Sequence, residues 1–245
     1  MIDRWLSLAG LTRDRFERVL THLPVEPARG RPWSLPRPTR VLLACVALRT
    51  NLTMRELAVL FATSSSTAHR VVVAMTPRLA ARAAAVNRDR RWAWVVDGTL
   101  IPTRDHRGAA KSKNYRWSCN AQILVRRCDL LVIATAAGGP GNRNDPIHYR
   151  GSTVQLWCQR HGRVLADGGY RGVPELVTPQ FRRNRIVRDH RWRRHRRRRA
   201  RVEHAIARLK NWRVLRDHRR RGHHLQTTLQ AAFLHNLQVT LRDNP

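Results

Sequence analysis

The sequence predicts an α/β protein in which a small all-α domain precedes a mixed β-sheet flanked by helices. Three observations carry this prediction. Over residues 1–85 the apolar residues recur at helical spacing; over 92–180 they gather into short runs bounded by Gly, Asn and Asp; and from Arg199 to Val239 the helical spacing returns. A chain of 245 residues accommodates one large domain or two modest ones. We place the division between an N-terminal domain, 1–85, and a second domain, 86–245.

Leu11–Leu23 puts Leu11, Phe16, Val19 and Leu20 on roughly one face, with Thr12 placed to cap the helix. The next stretch, VEPARGRPWSLPRPTR, carries four prolines and a glycine and is read as a loop. From Val41, VLLACVALRT has the pattern of a buried helix. LTMRELAVLFATSSSTAHRVVVA then divides into a short helix near Met54–Leu60, a tight turn near Phe61–Ser64 and a second helix from about Ser65. Thr53 and Glu56 stand at capping-box spacing, and Ser64 or Ser65 can cap the second helix. Such a pair is either a helix-turn-helix or an ordinary helical hairpin whose Ser/Thr run only caps. In the first case Ser65, Ser66, Thr67, His69 and Arg70 lie near the exposed start of a recognition helix.

WAWVVDGTLIP reads as an apolar strand ending at Asp97. Asn120–Val125 and Leu130–Ala136 read as strands joined by the polar turn RRCD, and Val164–Ala166 as a short strand ending at Asp167. GGPGNRNDPIHYRGSTVQLWCQRHG is a loop followed by one helix. Arg199–Val214 and Leu225–Val239 are helices closing the domain. Trp92 and Trp94 share a strand face and read as core or sheet-face packing.

Lys and Arg total 48 against 16 Asp and Glu, a formal net charge of +32, and 45 of the 48 are arginine. The 42% hydrophobic content excludes a purely disordered basic tail. Such a surface repels itself and calls for a polyanion, nucleic acid ahead of an anionic membrane. No apolar run approaches the roughly 18 residues of a transmembrane span, and MIDRWLSLAG lacks the apolar core of a signal peptide. Cys45, Cys119, Cys128 and Cys158 show no zinc spacing and are read as free thiols in a reducing cytoplasm.

Three carboxylates stand where chemistry would use them: Asp97 and Asp167 at strand ends, each followed by glycine, and Glu203 on a helix whose Val202, Ile206 and Leu209 face a core. Brought together they would raise one another's pKa unless neutralised, and Mg²⁺, a hard cation, is the economical counter-charge. Two such ions, with Mn²⁺ able to replace Mg²⁺, would serve phosphodiester chemistry: Asp97 bridging both, Asp167 and Glu203 each holding mainly one. Twelve arginines and one acid, Asp189, occupy 182–201, a run suited to gripping a DNA backbone. Arg199 lies one turn before Glu203 and Lys210 two turns after it, on the same side of the helix.

DGTLIP from Asp97, NAQILV from Asn120, LADGGYRG from Leu165, RARVEHAIARLKNWRVLR from Arg199 and the preceding LTMRELAVLFATSSSTAHRVV together resemble bacterial insertion-sequence transposases of the DDE class, with a Harbinger-like catalytic domain. The likeness covers about residues 10–240. It implies an RNase H-like fold, with Asp97, Asp167 and Glu203 as the catalytic acids and metal ligands. It matches Arg199 and Lys210 to the family's arginine and lysine around the glutamate. The tyrosine often found three residues before that arginine is Arg196 here. Thirty-five residues separate Asp167 from Glu203, a spacing common in the class. In GGPGNRNDP, Asn144 replaces the histidine of a His-Asp pair found in many relatives, and Asp145 is either a further metal ligand or a loop cap or supporting residue. Asp105 and Asp129 read as turn residues. The twelve histidines show no zinc spacing.

The resemblance implies double-stranded DNA, element ends and target, as partner, a homodimer or larger synaptic complex, and a cytoplasmic, nucleoid-associated location. The competing readings are a DNA-binding protein without catalysis, an inactive transposase remnant, and a nuclease that cuts without joining.

Overall fold

A computed structural model describes residues 2–24, 32–83, 92–112, 116–231 and 234–239. The chain opens with helices α1 (Ile2–Ala9) and α2 (Arg13–His22), the latter capped by Thr12, whose hydroxyl accepts from the Arg15 amide. α3 (Arg37–Thr50) begins inside the proline-rich stretch expected to be a loop. Pro38 sits in its first turn, where a missing N–H costs no helical hydrogen bond. Every residue from Arg40 to Leu48 is buried, so α3 forms the axis of the N-terminal helices.

α4 (Met54–Leu60) starts with the expected capping box between Thr53 and Glu56. α5 (Ser65–Ala83) follows after a turn, and Ser64, not Ser65, caps it by accepting from the Thr67 amide. The two helix axes diverge by 101°, the geometry of a helix-turn-helix. The turn lacks glycine, and Ala62 adopts the left-handed conformation in its place, at φ 48°.

The sheet is built from β1 (Trp94–Pro102), β2 (Ala110–Lys111), β3 (Trp117–Arg126), β4 (Val132–Pro140), β5 (Val164–Leu165) and β6 (Leu176–Val177). β1 is central: β3 pairs with it antiparallel along its whole length, and β5 runs parallel to its first residues only. β4 and β2 continue the sheet beyond β3, and β6 lies beyond β5. Between β4 and β5 stand two helices rather than one, α6 (Asp145–Tyr149) and α7 (Thr153–His161). A hairpin, β7 (Phe181–Arg182) with β8 (Arg185–Ile186), precedes α8 (His190–Leu209). α9 (Leu225–Ala231) and α10 (Leu234–Val239) are the last helices among the described residues.

Alternation along β1 sorts the core. Val95 and Ile101 face a cluster containing Val202, Ala205 and Leu209 of α8 together with the N-terminal helices, whereas Trp94 and Val96 face a second cluster with Tyr149, Val154 and Tyr170. The N-terminal helices and one face of the sheet therefore share apolar packing. The division expected at 85/86 lies outside the described residues.

Candidate functional site

Asp97 does not end its strand, contrary to the expectation. β1 runs on to Pro102, with Asp97 opposite Ile123 and Gly98 opposite Gln122 of β3. The pleat directs Asp97 to the α8 face and Gly98 to the opposite one. Since β5 pairs only with Trp94 and Val95, among the described residues no strand covers that flank of β1 beyond them, and the chain leaving β5 carries Asp167 towards Asp97. Asp167 caps a 3-10 turn, Gly168–Tyr170, by accepting from the Gly169 amide at 2.9 Å.

Arg199 of α8 joins the remaining acids. Its Nη1 donates to Asp97 Oδ2 at 2.9 Å and its Nη2 to Glu203 Oε1 at 2.6 Å. The other Asp97 oxygen accepts from the Gly98 amide at 3.0 Å. Burial pushes the Asp97 pKa up to about 6; Arg199 opposes the rise, and the charges of Asp167 and Asp145 add to it. Asp167 and Asp145 thus each lie within electrostatic reach of Asp97, while Glu203 meets Asp97 through a guanidinium.

The donor chemistry, hard carboxylate oxygens, suits a divalent cation. The geometry does not: among the described residues no group of three His, Cys, Asp or Glu side chains is placed to hold one ion. Arg199 occupies the Asp97 and Glu203 oxygens that a shared ion would need, so the two-ion arrangement expected from the sequence is not assembled.

Asp145 is the first residue of α6 and lies across the sheet from the Asp97 side chain. Its Oδ1 accepts from Asn120 Nδ2 at 2.5 Å. Gln122 Nε2 donates to Asn120 Oδ1 at 2.7 Å, and the Tyr170 hydroxyl donates to Gln122 Oε1 at 2.5 Å. His148 pins α6 to β4, its Nδ1 accepting from the Gly139 amide and its Nε2 donating to the Pro140 carbonyl. Sequence reasoning did not single out Asn120, Gln122 or Tyr170 for this site. The available signal was a pair of polar residues two apart in an otherwise apolar strand, hence on one face.

α8 starts nine residues before the expected Arg199, with Asp189 accepting from the Trp192 amide as its cap. The arginine run is therefore helical. Arg193, Arg194, Arg197 and Arg198 line, with Arg127 and His190, an open groove of about 520 Å³. Lys210 donates to the Leu100 carbonyl of β1 at 3.2 Å, and burial, with Arg216 nearby, holds its pKa below the usual lysine value. At the start of α5, Ser65, Ser66, His69 and Arg70 are exposed. Thr67 is a correction to the expected recognition face: it is buried, and its hydroxyl accepts from Ser64 and from Arg70. Trp94 is buried as expected, whereas Trp92 is half exposed. The four cysteines are free. Among the described residues no single helix is long and apolar enough to cross a membrane.

Residues 89–237 match the family described as the transposase DDE domain, and residues 33–85 match the helix-turn-helix of DDE superfamily endonucleases. The chain belongs to the DDE transposase family of bacterial insertion sequences, with an N-terminal helix-turn-helix, and its helices and mixed sheet form the RNase H-like arrangement. It is 40% identical, over 96% of its length and 95% of the other's, to a protein of Streptomyces albus G assigned as a transposase for insertion sequence element IS112.

Proposed function

We propose that this chain cuts DNA at the ends of an insertion sequence and joins them to a target, with Asp97, Asp167 and Glu203 as the acids of the reaction. The observation that carries the reading is the placement of a half-buried strand aspartate beside the Asp167 turn, one guanidinium away from Glu203, beneath an arginine-lined helix. The exposed arginines of α8 would hold the phosphate backbone. Ser65, Ser66, His69 and Arg70 would meet the major groove, Arg199 and Lys210 phosphates near the acids, and residues 1–85 would form the DNA-binding domain.

Mg²⁺, with Mn²⁺ as a substitute, is the cofactor the family implies. In the arrangement described, the acids do not form its shell, so the chain's own contribution is to bind and orient the phosphate and to hold the carboxylates at the strand flank. Asp145, held by Asn120 across the sheet, would act as a buttress to β1 and as a fixed negative charge near Asp97. Two element ends handled together imply a dimer or larger synaptic complex, acting on DNA in the cytoplasm.

The unassembled ligand set, with Arg199 occupying it, favours a second reading: a DNA-binding family member that does not cut. One experiment separates them. DNA carrying both ends of the flanking element is incubated with the protein, with and without Mg²⁺, alongside Asp97→Asn, Asp167→Asn and Glu203→Gln. We expect Mg²⁺-dependent cutting and joining by the wild type, lost in all three variants, with DNA binding kept. Binding without cutting by the wild type would establish the second reading. Full cutting by Glu203→Gln would remove that residue from the site.

A further inference from the structure

We infer that Arg199 is a built-in counter-cation that closes the carboxylate site to divalent ions until DNA phosphate draws it away. The inference rests on the reading of Asp97 and Glu203 as site acids. Its geometry is that of a clamp, with one planar guanidinium placing separate N–H groups on two carboxylates, at 2.9 Å and 2.6 Å. A guanidinium presents a fork of donors in one plane and so can bridge two anions that a point charge cannot. The Asp97 end is enclosed, at 14% side-chain exposure with Arg199 at 20%, while the Glu203 end is open at 58%. Both Asp97 oxygens are engaged, one by Arg199 and one by the Gly98 amide, and one Asp167 oxygen by the Gly169 amide. An ion shared by Asp97 and Glu203 must therefore displace Arg199.

The displaced side chain has somewhere to go. Arg196, three residues before it and so on the same side of α8, is exposed, and the Glu203 end is open, so a phosphate backbone passing that side of the helix arrives beside it. Phosphate accepts the same paired N–H groups as carboxylate. Metal and guanidinium compete for the acids, and acids and DNA compete for the guanidinium. Metal and DNA then bind with positive coupling, and the coupling is reciprocal. The free protein would keep its site quiet by this means, and loaded DNA would open it.

The test is Mn²⁺ binding by the full chain, followed by the electron paramagnetic resonance of free Mn²⁺. Arg199→Gln should bind Mn²⁺ about tenfold more tightly than the wild type, within the roughly 5–150-fold range of such couplings. Adding Asp97→Asn to that variant should abolish the gain, and Arg199→Lys, which keeps the charge without the bridge, should fall between. With an equimolar short duplex, and binding to DNA alone subtracted, the wild type should reach the affinity of Arg199→Gln. Thermal melts confirm that each variant is folded. Equal or weaker Mn²⁺ binding by Arg199→Gln, or a gain that survives Asp97→Asn, overturns the inference. Cutting by the wild type bears on the proposed function alone. A wild type that cuts while Arg199→Gln gains nothing refutes only the clamp, and a wild type that never cuts while the gain appears refutes only the catalytic reading.

Discussion

Gly98 is a residue at which a single methyl group should be costly. It lies inside β1, with an extended backbone that other residues adopt freely, so the need for glycine is a matter of space. A Cβ built there would stand 2.0 Å from Asp145 Oδ1 and 2.2 Å from its Cγ. Relief requires the carboxyl to retreat by more than about 1 Å, which takes Oδ1 out of the hydrogen bond from Asn120. Overpacking costs about 1–3 kcal/mol, and a buried amide left without its acceptor costs about 1–3 kcal/mol. The two overlap, because retreat relieves the clash, so Gly98→Ala should lose about 2–3 kcal/mol in all. For a chain of this size that corresponds to a fall in Tm of about 4–12 °C. Urea unfolding followed by circular dichroism measures the loss, and a double-mutant cycle assigns it. On an Asp145→Ala background, where the obstructing carboxyl is absent, Gly98→Ala should cost less than about 0.5 kcal/mol. An equal cost in both backgrounds would refute the contact as the reason for the glycine.

Two further outcomes follow from the same site. The native state holds the Asp97 proton more tightly than the unfolded chain does, with a pKa of about 6 against an ordinary 3.8. This contribution is fully present below about pH 4 and is lost as pH rises through about 6, leaving a cost on the order of 2–3 kcal/mol at neutral pH. Asp97→Asn should therefore be more stable than the wild type above pH 6, with the gap narrowing towards pH 4; melts across that range test it, and a constant gap would count against it. Tyr170→Phe removes only the hydroxyl of a fully buried ring, takes its donor from Gln122 Oε1, and should cost about 1–3 kcal/mol in the same unfolding assay.

Legibility in the sequence followed how local the cause was. The capping box of Thr53 and Glu56 spans four residues and fixed the start of α4 correctly. The errors lie where a long-range contact decides. Asp97 reads as the end of its strand, yet β1 runs on because β3 pairs with it as far as Pro102, and α6, arriving 47 residues later, sets the Asp145 carboxylate against Gly98. The helix reads as starting at Arg199, yet the arginine run before it is helix too, because Asp189 caps it and α8 packs Val202, Ala205 and Leu209 against the sheet. Thr67 reads as exposed by its position in the Ser/Thr run, but the same hydroxyl that could face DNA is consumed by the cap. No local pattern announces that Arg199 would lie across two acids, because Asp97 is 102 positions away.

The way this acid-poor chain disposes of its carboxylates separates scaffold from site. Glu56 closes the box at α4, and Asp189 caps α8. Asp129 is taken by Arg126, and Asp217 by Arg104 and Arg219. Glu175 accepts from Tyr149 and Gln155. In the caps and ion pairs, the carboxylate meets an N–H or a guanidinium near the surface, and its charge is inexpensive to keep. Asp97 is different. It sits in the interior of the central strand, where burial and the neighbouring charges of Asp167 and Asp145 all disfavour its ionised form, and even Arg199 does not restore an ordinary pKa. An asparagine would fill the same space without that cost. A residue that opposes stability in this way, in a chain with 48 basic residues and only 16 acids, fits the role proposed above for Asp97 as an acid of the reaction.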